Sequence, residues 1–401
     1  MSLDLESIYI LILLCIPLQF NLLTDSLDLI VDDMKSNWVE KTDLTYYERY
    51  FSKKVTMFAG LISSISFIFI FYKILRMKLI ISITFLLSGI TWLFYFAMNE
   101  NRTYLLYVIR SLQGIYLGCF QITTIPYILN FAVNSKKCFC GSLIQFSMFV
   151  GLFLMNLLFV YFSWNVVIII FFVLSLAFSG LIWLVPEIYI LPKSFTKEYV
   201  NKRENIRLLI IMLLTMLLQQ MSGIGTLLQQ LSDILSGIGL DLDNNLQACL
   251  FNFVGAIAVI NSAFMSDVLS SKYMWVISSI GLCIGLAIYA ATLKSNFANW
   301  IRSLAVFFYF LFYGLGQGPI PWYLCGTMMP EGVRLESTGI NLAWNMFLST
   351  LMDVLLSKFD EAFGQFGSIL FSSVSCFVAV FFGFFVIPSE NQEDIDNINI
   401  L

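Results

Sequence analysis

Histidine is absent from this 401-residue sequence. Without an imidazole there is no His-based nucleophile triad, no HExxH zinc site and no imidazole proton relay. Charge is scarce as well: Asp, Glu, Lys and Arg make up 12% of the chain, about half the usual share. The basic residues are scattered over loops rather than gathered on one face, which argues against nucleic-acid binding. The eight cysteines fall mostly inside apolar runs. Cys138 and Cys140 are expected in a loop, where two thiols without further ligands make no metal site; no disulfide framework is implied. No catalytic constellation or cofactor motif emerges, so an enzyme is disfavoured, and neither cofactor nor metal is expected.

What the sequence has instead is apolar residues, 59% of the total, with a mean hydropathy of +0.84. No soluble core needs that much, and a multi-pass membrane protein is implied. About a dozen windows are long enough to cross a bilayer. They fall near residues 8–24, 55–75, 79–98, 104–132, 142–162, 165–185, 207–235, 247–268, 274–293, 301–329, 337–358 and 367–387. The opening MSLDLES carries acids where a cleaved signal would be basic, so the first run reads as a span. Lys73, Arg76, Lys78, Lys136, Lys137, Lys193, Lys272 and Arg334 fall on one side of the membrane. The short loops opposite hold only Arg102, Lys294, Arg302 and Lys358. The positive-inside bias therefore places both termini in the cytoplasm.

Six windows precede a polar stretch and six follow it. The expected organisation is all-α: a six-helix half over 1–187, a basic cytoplasmic linker over 188–206, and a second six-helix half over 207–401 with a short acidic tail. Paired six-helix halves commonly hold a substrate between them near the bilayer midplane. Residues 25–53 are expected to form a long, solvated outer loop with some helix, rich in acids. Asn101-Arg102-Thr103 is a glycosylation sequon placed very close to two spans.

Several polar residues lie where lipid would reject them. In GQGPIPW, Gly318, Pro319 and Pro321 break the tenth span beside Trp322. Each proline removes a backbone donor, so the segment is either a packing kink or a moving, substrate-lined element. In the seventh span, Gln219, Gly223, Thr226 and Gln230 share an arc of roughly 60°, with Gln220 alongside. Such amides suit a neutral polyhydroxyl ligand, and equally suit interhelical hydrogen bonding. Gln145, Asn252, Asn341 and Asn345 are further candidates, spread over both halves. Arg110 is the one strong charge buried in the first half; it is either structural or a gate.

These motifs resemble those of the sugar porter family of the major facilitator superfamily, relatives of the facilitative glucose transporters. QQMSGIG at 219–225 is similar to the family's QQLSGIN, and GQGPIPW to its GPGPIPW. Leu18-Gln19-Phe20, Arg110 with Gly114 and Gly118, Gly141-Ser142-Leu143-Ile144-Gln145, Pro186-Glu187, Gly332 with Arg334, and Pro388-Ser389-Glu390 follow in family order. The resemblance implies that Gln145, Gln219, Gln220 and Trp322 contact sugar and that Asn345 lines the cavity. It also marks departures. Gly225 stands in place of an asparagine, Gln229 and Gln230 in place of two tyrosines, Gly255 in place of another asparagine, and Gly314 in place of an acid.

The family's cytoplasmic ion pairs are thinned here, leaving Glu187, Asp267 and Arg334 as partners for a latch. A bias toward an inward-open state is expected. Proton-coupled relatives carry an acid where this chain has Leu23, with Asp25 nearer the outer end, so facilitative uniport is the simpler expectation. The resemblance thus implies a carrier for a hexose or similar sugar, with the plasma membrane as its default location. A carrier for another neutral solute such as a polyol is one alternative. A sugar sensor is another, although sensors tend to carry long cytoplasmic extensions and the tail here is short.

Overall fold

A computed structural model of the protein describes residues 5–37, 46–67, 76–98, 104–133, 136–187, 203–229, 243–266, 268–294, 299–330 and 333–388. The described chain is a twelve-helix bundle in two six-helix halves. In the first half α1 comprises Leu5–Leu13 and Cys15–Asn37, followed by α2 (Tyr46–Ser66), α3 (Met77–Leu93), α4 (Tyr104–Phe131), α5 (Lys137–Tyr161) and α6 (Trp164–Leu181). In the second, α7 comprises Arg203–Met221 and Ile224–Gln229. It is followed by α8 (Asn244–Met265), α9 (Ser271–Lys294), α10 (Asn299–Phe312 and Ile320–Met328), α11 (Arg334–Phe363) and α12 (Gln365–Phe385).

Eleven of these helices are long and apolar enough to cross a membrane. The twelfth, α2, carries Lys53 and Lys54 within its described part, and the apolar run that completes it continues into 68–75, outside the described residues. Large apolar side chains such as Ile169, Val173, Phe377 and Phe381 point outward on α6 and α12, as a lipid-facing surface requires. The linker at 188–202, Asn101, Gln230, Gly332 and Asp267 also lie outside the described residues.

Two expectations are corrected. Residues 25–37 are not loop: α1 runs on to Asn37 and α2 begins at Tyr46. The reason lies between the acids, where Leu27, Ile30, Val31 and Met34 recur at helical spacing and are all buried. Asp28 is offset by Lys53 of α2 at 2.5 Å, and Asp33 accepts the Trp164 backbone N–H that opens α6. Cys138 and Cys140 likewise sit in the first turn of α5 rather than in a loop.

The halves meet along α2 with α11, and α5 with α8. On the side where the described residues begin and end, here the terminal side, Gly141 of α5 approaches Tyr323 of α10 so closely that an added Cβ would collide with the tyrosine's own Cβ. Gly326 packs in the same region against Leu129 and Ile125 of α4. Toward the far side, Lys54 of α2 and Asp353 of α11 form an ion pair at 2.8 Å, each side chain only 9% and 13% exposed.

Candidate functional site

A cavity of about 130 Å³ lies between the halves, many times the roughly 10–15 Å³ that one water needs. The first half contributes α1, α2 and α5, and the second contributes α7, α10 and α11. Of the residues expected to bind substrate, Gln145, Gln219, Gln220, Trp322 and Asn345 all line it. Asn252 is buried on α8 but is not part of this wall, because the neighbouring Gly255 packs directly on Phe149 of α5 and leaves no space there. Asn341 is also fully buried outside the wall.

The breaks in α7 and α10 sit against the cavity and against each other. After Met221 the α7 backbone turns through Gly223 at φ +82, a left-handed conformation that glycine adopts without Cβ penalty. In α10 the backbone widens ahead of Pro319, where the Gly318 N–H reaches back five residues to the Tyr313 carbonyl at 2.8 Å. The Gln219 amide nitrogen spans the two breaks, donating to the carbonyls of Gln317 (2.8 Å) and Gly318 (2.9 Å) and to the Tyr313 hydroxyl (3.2 Å). Gln317 is itself held by α9, through its backbone N–H to Ser278 and its side-chain amide to Ser279. GQGPIPW is therefore a braced break rather than a free kink.

Among the buried polar atoms without a partner in the described residues, the carbonyl oxygens of Gln145 and Gln219 and the indole N–H of Trp322 belong to residues of the cavity wall. Unpaired polar groups at such burial cost about 1–3 kcal/mol each. Asn345 donates to the Met216 sulfur at 3.3 Å. Trp322, Phe20 and Met148 also line a second, apolar space of about 10 Å³, so Trp322 stands between it and the main cavity.

Three residues of α1 join the wall unexpectedly: Asn21, Thr24 and Asp25. Asn21 donates to the Met148 carbonyl at 2.8 Å, and Thr24 donates to the Asp25 carboxylate at 2.6 Å. Their i, i+3, i+4 spacing was the available signal, as was the spacing of Ser349 one turn beyond Asn345. Tyr313 also lines the cavity, and the signal for it was its place directly before the α10 break.

The expected gating residues divide. Arg110 donates to the carbonyls of Leu23 (2.7 Å) and Thr24 (3.0 Å) and to Gln113 (2.9 Å). It fastens α4 to α1 within one half, which is the structural role. Glu187 accepts the Lys78 backbone N–H at 3.3 Å, again within the first half. Arg334 opens α11 and donates to the Met329 carbonyl at 3.3 Å. On the side where α1 begins, the halves are in contact at Gly141 and Tyr323.

Comparison with known proteins accounts for this architecture. The family described as "Sugar (and other) transporter" matches residues 188–401. The chain belongs to that family. Its members are transporters rather than enzymes. Among curated relatives, facilitated trehalose transporter Tret1-1 of Drosophila simulans is 26% identical over 204 residues, covering 49% of this chain and 24% of the relative. Facilitated trehalose transporter Tret1 of Polypedilum vanderplanki is 25% identical over 204 residues, covering 49% of this chain and 40% of the relative. The match thus spans about a quarter to two fifths of these relatives' length. The proton:xylose symporter XylE bound to 6-bromo-6-deoxy-D-glucose superimposes with a TM-score of 0.83 at 15% identity, over 98% of both chains. The inward-open XylE of E. coli gives 0.71 at 14% identity, also over 98% of both chains. The shared fold is the major facilitator fold.

Proposed function

We propose that this protein carries a hexose or a similar small neutral sugar across a membrane by alternating access, as a facilitative uniporter. The observation that carries this reading is the cavity between the halves, walled by amides and an indole with unpaired polar atoms and backed by two helix breaks. Gln145, Gln220, Trp322 and Asn345 are the substrate contacts in this reading. Hydroxyl-rich ligands match such a donor and acceptor set, which holds no cationic side chain. A polyol would be bound by the same groups. The plasma membrane, with both termini cytoplasmic, is the proposed setting, supported by the distribution of Lys and Arg.

Counterflow into proteoliposomes with a panel of labelled hexoses, disaccharides and polyols tests this function. Saturable exchange of at least one hexose is expected. Exchange of a polyol alone would move the substrate class, and exchange of none would reject the carrier.

Asp25 supports a second reading, proton-coupled transport. It is an acid in the cavity wall, two residues beyond the position where the sequence alone gave Leu23. A substrate-driven rise in external pH that disappears in Asp25→Asn would establish coupling; accumulation indifferent to the proton gradient would leave uniport.

A further inference from the structure

An α-helical carbonyl accepts the amide hydrogen four residues on. For Gln317 that residue is Pro321, which has no amide hydrogen. For Gly318 it is Trp322, whose N–H turns instead to the Pro319 carbonyl at 3.2 Å. The break in α10 therefore strands two adjacent carbonyls inside the bundle. Both are filled by one side chain of another helix, the Gln219 amide, at 2.8 and 2.9 Å. Gln219 is 1% exposed, and its two amide hydrogens are committed to these carbonyls, with the Tyr313 hydroxyl 3.2 Å from the same nitrogen. Its own backbone carbonyl accepts the Ser222 hydroxyl at 2.6 Å, one residue before the α7 turn. Ser222 in turn meets the Tyr309 hydroxyl of α10 at 3.2 Å.

We infer that Gln219 is a positioning residue that replaces the backbone donor Pro321 lacks, tying the α7 break to the α10 break so that the two move as one piece. Its amide nitrogen is unavailable to substrate, and only its carbonyl oxygen remains to meet one. Gln220, beside it in sequence, carries no such commitment and is the α7 amide that faces the ligand. A Gln219 that served chiefly as a sugar contact would leave the carbonyls of Gln317 and Gly318 stranded.

The test is a double-mutant cycle between Gln219→Met and Pro321→Ala, since alanine restores the missing amide hydrogen. With labelled glucose, Gln219→Met should lower the maximal counterflow rate about tenfold, as the loss of two or three buried hydrogen bonds implies, with apparent affinity held within about twofold. In the Pro321→Ala background the same replacement should cost less than about threefold. An equal loss in both backgrounds overturns the inference, as does a loss of affinity with the rate intact.

The transport readout rests on the proposed sugar-carrier function. The melting temperature of the purified protein, read over the same four variants, does not. There too the penalty of Gln219→Met must shrink in Pro321→Ala; equal penalties overturn the inference. If Gln219→Met alone fails to fold, recovery of monodisperse protein in the double variant supports the inference and no recovery overturns it. If the wild type carries no sugar, the melting cycle decides the role of Gln219 and the failure falls on the function.

Discussion

The two halves use buried polar residues in different ways. In the first half they mostly join helices to one another: Gln19 donates to Ser88 of α3 (2.8 Å) and Ser175 of α6 (2.6 Å), and Arg110 grips α1 from α4, while Ser147 of α5 donates to the Leu14 carbonyl (2.6 Å) at the one-residue interruption of α1. Even Pro126 is absorbed within an unbroken α4. In the second half they serve the breaks. Gln219, Ser278 and Ser279 occupy backbone and side-chain groups around the gaps in α7 and α10. The difference assigns mechanical roles: a braced wall on one side of the cavity and a jointed wall on the other. Interhelical hydrogen bonds fix where helices lie, whereas bonds to a break fix which bent shape it adopts.

The largest effect expected from breaking this contrast is at Arg110. Arg110→Met strands the carbonyls of Leu23 and Thr24, and three charge-assisted bonds vanish, for a loss of about 3–5 kcal/mol. Thermal melting should fall sharply, while whatever protein stays folded keeps its substrate affinity. An unchanged melting temperature would refute the braced wall.

Next is the ion pair that crosses between the walls. Lys54→Ala removes the cation paired with the largely buried Asp353 and should cost about 2–4 kcal/mol in the state seen here. The paired Lys54→Met, Asp353→Leu replacement should cost clearly less. Equal penalties for single and double variants would show that the pair is not coupled.

Gly141→Val places methyl groups where Tyr323 already sits, an overpacking of about 1–3 kcal/mol against closure on the terminal side. Labelling of a cysteine introduced at the base of the cavity should rise from that side. No change in labelling would remove Gly141 from the closure. The smallest effect is Gln145→Ala, where the loss of one hydrogen bond to sugar should weaken affinity by about 0.5–1.5 kcal/mol without moving the maximal rate. Competition binding reads this directly, and unchanged affinity would take Gln145 out of the site.

Much of this was legible in the residues. Apolar runs near bilayer length gave the spans, and the prolines and glycines of GQGPIPW gave the break. Polar residues inside apolar runs gave five of the cavity residues. What was missed follows a physical pattern. The acids at 25–33 lowered the local hydropathy enough to read as loop, yet the leucines and isoleucines between them kept the helical period, so α1 continued and carried Asp25 into the wall. Asn252 looked equivalent to Gln145 as a polar residue in a span, but Gly255 against Phe149 closed the space that would have made it so.

Composition and periodicity determined by themselves that this chain is a twelve-helix membrane bundle with a break in its tenth span, because burying backbone in lipid forces helices and proline or glycine interrupts them there. The tertiary structure alone decided which polar group answers which break. An amide looks the same in sequence whether it will meet a sugar or a stranded carbonyl. The difference between Gln219, bonded to the carbonyls of α10, and Gln220, which lines the cavity without such a bond, arises only where α7 and α10 come within hydrogen-bonding distance.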